Sequence, residues 1–153
     1  FAPFYQTIYP HVVSIVKKPK NEANNFLKKV FKYSLGISTV VFFISISLGE
    51  FSFLLVFGEE AKNSINIFYI LSPLIIILPM AYLFFNVILL SYKLDKYFSK
   101  LYVIGGITNL SMIFILFQFL EKKIEAVSLS LLITELIITL LAYILIKNKK
   151  IMD

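Results

Sequence analysis

The chain has 153 residues, 59% of them hydrophobic, and a formal net charge of +6. Its mean hydropathy of +0.85 leaves too little polar sequence to coat a soluble globule. Cysteine is absent and His11 is the single histidine, which excludes disulfides, thiol catalysis and a His-cluster metal site built within the chain; no cofactor is expected.

Residues 1–16 are apolar but hold Pro3 and Pro10, without a basic n-region or a small-residue cleavage site, so they do not read as a signal peptide. They read instead as the cytoplasmic end of an earlier transmembrane helix. With Phe1 rather than Met at the start, the expectation is a C-terminal fragment of a larger protein. Lys17-Lys18-Pro19-Lys20-Asn21 then makes a polar breaker. Between Glu22 and Lys32, Phe26, Leu27, Val30 and Phe31 recur at helical spacing, with Lys28, Lys29 and Lys32 between them. That pattern fits a short helix in the cytoplasmic interface, its lysines facing headgroup phosphates. An N-terminal extension of the first membrane span fits it equally.

Four long apolar stretches follow, at about 33–49, 65–90, 101–120 and 126–146. Each is close to or above the roughly 20 residues that carry a helix across a bilayer. Runs such as Leu74-Ile75-Ile76-Ile77-Leu78 lack the alternation of a transmembrane barrel strand. In lipid, backbone groups must be satisfied within the segment, so the predicted fold is all-α. It is a polytopic transmembrane bundle of four spans plus the end of a preceding helix. Residues 1–32 form that helix end and a basic amphipathic cytoplasmic linker, and 33–153 form the four-helix region.

The first span carries Ser34, Ser38 and Ser45 near one face, beside Gly36, with Glu50 at its outer end. Residues 51–57 read as an apolar segment running along or back into the outer interface. In the second, Pro73 and Pro79 each remove a helical hydrogen bond and predict kinks. Ser72, Pro79 and Asn86 are spaced by seven and fall along one side. The third span opens with Tyr102, Gly105, Gly106 and Asn109, where small residues permit close helix approach. The fourth places Ser128, Glu135, Thr139 and Ala142 on one face.

Charge sets the topology. Twelve of the fifteen lysines lie between Lys17 and Lys32, between Lys93 and Lys100, or between Lys147 and Lys150. The intervening loops hold Lys62, Lys122 and Lys123, offset by Glu59, Glu60, Glu121 and Glu125. Lysine-rich loops stay cytoplasmic during insertion, so the N-terminal segment, the 91–100 loop and the C-terminus are expected inside. The lysines thus read as topology anchors among membrane lipids rather than as a nucleic-acid patch.

Among the polar residues, Glu135 is the sharpest signal. An ionised carboxylate midway along a span costs at least about 3 kcal/mol by insertion scales and commonly marks a substrate or ion path. A neutral Glu135 bonded to a neighbouring helix is the plainer alternative. Asn86, Asn109 and Ser38 are further path candidates, each with helix packing as its alternative. No nucleotide-binding glycine loop or carboxylate pair is present, so a non-enzyme is expected and transport outranks catalysis.

Several segments, taken in order, resemble a known family. The stretch from Ala2-Pro3-Phe4 to Tyr9-Pro10-His11-Val12-Val13-Ser14 resembles its small–apolar–Pro–x–x–Ser helix end. Leu55-Val56-Phe57-Gly58-Glu59-Glu60-Ala61 is similar to its L-x-F-G-E-x-Y/A segment, and Asn86-Val87-Ile88-Leu89-Leu90-Ser91 to N-x-I-L-L-A. Ile104-Gly105-Gly106-Ile107-Thr108-Asn109-Leu110 resembles G-x-x-x-N-L, and Ser130-Leu131-Leu132-Ile133-Thr134-Glu135 resembles A-T-x-I-T-E. The family is that of bacterial polysaccharide (O-antigen, Wzx-type) flippases of the multidrug/oligosaccharidyl-lipid/polysaccharide exporter superfamily.

The resemblance implies a bacterial inner-membrane protein of about twelve helices in two lobes, with its C-terminus cytoplasmic. It implies alternating access for an undecaprenyl-pyrophosphate-linked oligosaccharide, with H+ or Na+ as a possible coupling ion and a missing N-terminal lobe as partner. Glu135, Asn109, Asn86 and Ser38 would face the central cavity. This sequence departs in one respect: a pyrophosphate needs cations, yet the four spans contain no Lys or Arg at depth. The missing lobe, or Lys32 at the membrane edge, would supply them. A cation-coupled drug exporter or lipid II flippase of the same superfamily is the alternative cargo assignment. A small four-helix accessory protein is the alternative from another class.

Overall fold

In the computed structural model, residues 2–17 and 19–152 are described. Lys18 of the basic breaker lies outside the described residues, as do the side chains of Glu60 and Ala61 in the loop segment matched above. The chain is all-α. Its elements are α1 (Ala2–Ile15), α2 (Lys20–Phe57), a 3-10 segment (Glu59–Ser64), α3 (Ile65–Leu71), α4 (Leu74–Tyr82), a π-helical segment (Leu83–Leu89), α5 (Asp95–Phe119) and α6 (Lys123–Asn148). Four stretches among the described residues are long and apolar enough to cross a membrane: α2, the composite helix Ile65–Leu89, α5 and α6.

The basic linker and the first span are one helix. No proline interrupts 20–57 after Pro19, and 38 residues at 1.5 Å rise give a rod of ~57 Å, well beyond a hydrocarbon core of about 30 Å. The expected interfacial helix is therefore an extension of the span, and residues 51–57 continue the same rod. Ala23, Leu27, Val30, Ser34 and Ser38 recur every three or four residues and are buried along one stripe. Phe26 meets His11 edge-on at 4.8 Å and Phe31 stacks on Phe84 at 5.8 Å, so this apolar face packs on protein rather than on lipid headgroups. Lys28, Lys29 and Lys32 are exposed on the other side. Gly58, at φ +77°, ends the rod where a side chain would be strained.

The composite helix is the centre of the bundle, packing on α2 and on α6. It is broken where its prolines stand. Pro73 has no N–H to offer the Tyr69 carbonyl, and the Ser72 hydroxyl donates to that carbonyl at 2.9 Å instead. Pro79 lies inside α4, and the chain after it widens into the π-helical turn. Leu83, Phe84, Phe85, Val87, Ile88 and Leu89 on this turn are buried and form the heart of the apolar core, against which α1 lays Tyr5 and Val12. Tyr5 stacks on Tyr82 at 5.3 Å.

α5 pairs chiefly with α6. A Cβ at Gly105 would lie 3.2 Å from Ile138, whereas one at Gly106 would meet nothing, so a single glycine of the pair sets the approach. A Cβ at Gly49 would stand 2.5 Å from the Phe68 ring, which marks a second close contact, between α2 and α3. Between α5 and α6, the Lys123 ammonium donates to the carbonyls of Phe117 (2.7 Å) and Leu120 (3.4 Å), capping the end of α5. Lys122 pairs with Glu125 at 3.1 Å.

Candidate functional site

Ser128, Thr139 and Ala142 of the predicted α6 face are buried, and Glu135 is half-buried at its edge. Beside it lies a cleft of about 310 Å³ lined by Tyr82, Asn86, Tyr102 and Glu135 together with apolar side chains of α4, the π turn and α6. Two of the four path candidates thus share one cavity although 49 positions separate them in sequence. Among the described residues, neither the Glu135 carboxylate nor the Asn86 amide has a hydrogen-bonding or ion-paired partner. Both keep their full polar capacity for something that enters.

Asn86 also lines a second cleft, of about 330 Å³, on the other side of Tyr82, where Tyr5, Gln6 and Tyr9 of α1 face Val87 and Leu90. Tyr82 and Asn86 line both clefts. Asn86 lies within the π-helical segment, and such turns, with one residue more per hydrogen-bonded ring than an α turn, recur at functional sites. Gln6 thus lines one cleft and Tyr102 and Glu135 the other, with Tyr82 and Asn86 common to both.

The other candidates sit elsewhere. Asn109 reaches across to α6, its amide donating to Ser130 Oγ and Thr134 Oγ1, both at 3.5 Å, and it does not line the cleft. Ser38 is fully buried on the packed face of α2 and donates to the Ser34 carbonyl at 2.7 Å. Sequence reasoning missed Gln6, Tyr9 and Tyr82. Tyr5 and Tyr9, four apart and flanking Gln6, are the one pattern that could have pointed there. No group of three or more metal-ligating side chains occurs among the described residues.

No family model matches the chain. Over 151 residues it is 26% identical to a protein of Escherichia coli (strain K12) described as "Putative O-antigen transporter". The match covers 98% of this chain, which spans 36% of that relative's length. No solved structure matches. The chain is a multi-pass helical membrane protein similar in sequence to a transporter.

Proposed function

We propose that this chain is the C-terminal part of a flippase that moves an undecaprenyl-pyrophosphate-linked oligosaccharide, an O-antigen or other surface polysaccharide repeat unit, across the bacterial inner membrane by alternating access. The observation that carries the reading is the cleft shared by Glu135 and Asn86, in a chain that aligns over 98% of its own length with the relative described as "Putative O-antigen transporter". Unpartnered carboxylate and amide groups flanked by Tyr82 and Tyr102 suit sugar hydroxyls, which need acceptors, donors and an aromatic surface. Glu135 can alternatively hold a coupling H+ or Na+. The role is transport rather than catalysis.

A pyrophosphate still needs cations, and no lysine lines either cleft. The N-terminal lobe would supply them, docked on the apolar flanks that α2 and α5 leave exposed. The orientation that fits puts the lysine-rich end in the cytoplasm.

The test is complementation in the complete protein. Glu135→Gln, nearly isosteric, is expected to lower surface-polysaccharide export while membrane abundance stays at the wild-type level. Full export by that variant would reduce Glu135 to a packing residue. Long-chain lipid movement in proteoliposomes, measured against efflux of a fluorescent cation, separates this cargo from a drug.

A further inference from the structure

The cleft of about 330 Å³ between α1 and the π-helical segment presents polar groups of its own. Gln6 and Tyr9 line it from α1, and Asn86 and Leu90 line it from the helix opposite, with Tyr82 beside them. Among the described residues, neither the two amides nor the Tyr9 hydroxyl has a hydrogen-bonding partner. Its volume is that of a small-molecule site.

Helix geometry puts the two clefts in order. Leu78 lines the one that holds Glu135, Leu90 lines this one, and Tyr82 and Asn86 between them line both. The twelve residues from Leu78 to Leu90 cover roughly 18 Å along the helix. Leu90 is three residues, about 5 Å, from Lys93 at the lysine-rich end, and Leu78 is about 22 Å from it. On α6, Glu135 likewise stands twelve residues, about 18 Å, before Lys147. The cleft against α1 therefore lies nearer the headgroups at that end, and the cleft with Glu135 lies deeper.

The two also differ in chemistry. The deeper cleft presents a carboxylate, whereas this one presents two amides and a phenol, which both donate and accept. That set suits the hydroxyls of a neutral sugar, and the Tyr9 and Tyr82 rings offer a surface to its apolar face. A charged pyrophosphate stays at headgroup level, so the sugar bonded directly to it cannot reach far below. We propose that this cleft seats the first sugar, the one joined to the pyrophosphate, on Gln6, Tyr9 and Asn86. The cleft with Glu135 then takes the sugars beyond it. The proposal rests on the flippase reading above and adds the register of the glycan along its path.

The experiment uses native mass spectrometry of the complete protein. Binding of bare undecaprenyl pyrophosphate is compared with that of the same carrier bearing one glucose, galactose or N-acetylglucosamine. The wild type is expected to prefer at least one of the one-sugar carriers. Gln6→Leu/Tyr9→Phe is expected to lose affinity for that carrier at about fivefold per hydrogen bond, roughly 25-fold in all, and to bind the bare carrier as before. Thr7→Val, at the next position of α1 but outside the cleft, is expected to keep the preference. Full preference in the double variant would overturn this proposal alone. A wild type without any preference would overturn the sugar path assigned above, and this subsite with it. A loss confined to carriers of three or more sugars would put a later sugar here and overturn the register. Should the double variant fail to fold, Tyr9→Phe alone, with its expected fivefold loss, decides.

Discussion

At the scale of single residues, two asparagines of similar sequence context do different work. Asn109 spends its amide on Ser130 and Thr134 across 3.5 Å, long contacts of the kind that contribute well under 2 kcal/mol between membrane helices. Asn109→Ala is expected to lower unfolding stability by about 1 kcal/mol or less and to leave transport intact. Asn86 has no such partner, so Asn86→Ala should leave the unfolding temperature unchanged and impair transport. Both outcomes are read from thermal unfolding and a polysaccharide-export assay on the same preparations. Ser72 offers a cleaner energetic test. Its hydroxyl replaces the donor that Pro73 lacks, and Ser72→Ala leaves the Tyr69 carbonyl unsatisfied in the bundle, at a cost of about 1 kcal/mol. Glu135 was legible because a carboxylate in the middle of an apolar run stands out against its neighbours. Tyr82, Tyr9 and Gln6 were not, since an aromatic or amide side chain on a helix reads as packing until the helix across from it is known.

At the scale of elements, the prolines announced the break at Ser72-Pro73, and the serine that heals it lay in plain view. The π turn did not announce itself, because its residues Leu83–Leu89 are as apolar as any α turn and the extra residue leaves no compositional trace. The fusion of linker and span into α2 was equally hidden. Lysines at 28, 29 and 32 resemble a membrane boundary, whereas the backbone has no reason to stop there. Lys93 at φ 55° and Lys150 at φ 52° stand in the left-handed region at the ends of their helices, which favours glycine. Lys93→Gly or Lys150→Gly relieves the left-handed backbone and should stabilise the protein by about 1 kcal/mol, measured by chemical unfolding in micelles. Gly105 predicts the opposite sign. Gly105→Leu drives a side chain into Ile138, already 3.2 Å from a bare Cβ, and should destabilise the α5–α6 pair by roughly 1–3 kcal/mol.

At the scale of the whole molecule, lysine alternation and segment length foresaw which ends gather together. The convergence of Lys20, Tyr92 and Lys149 at one end of the bundle agrees with that reading. Which leaflet that end meets is settled by labelling. The chain contains no cysteine, so Lys62→Cys and Lys149→Cys can be probed without background by a membrane-impermeant maleimide in intact cells. Lys62→Cys is expected to react and Lys149→Cys only after permeabilisation; the reverse pattern would invert the scheme, and reaction of both from outside would break the alternation of spans. The lateral arrangement was not legible, because spans that are apolar nearly all round do not declare their neighbours. α1 and α2 lie against the centre through aromatic stacks such as Tyr5 on Tyr82 and Phe31 on Phe84, whose partners across the bundle no spacing within one helix reveals.

The unbroken length of α2 has a mechanical consequence. A stiff shaft some ~57 Å long, held by the core along Ala23–Ser38 and again where Gly49 meets Phe68 of α3, carries motion from one contact to the other. Pivoting by about 5° at Phe31 would sweep Phe57, ~39 Å further along, sideways by about 3 Å, taking α3 with it through Gly49 and Phe68. Small adjustments where Phe31 rests on Phe84 would therefore reach the far face of the membrane enlarged, without any hinge along the way.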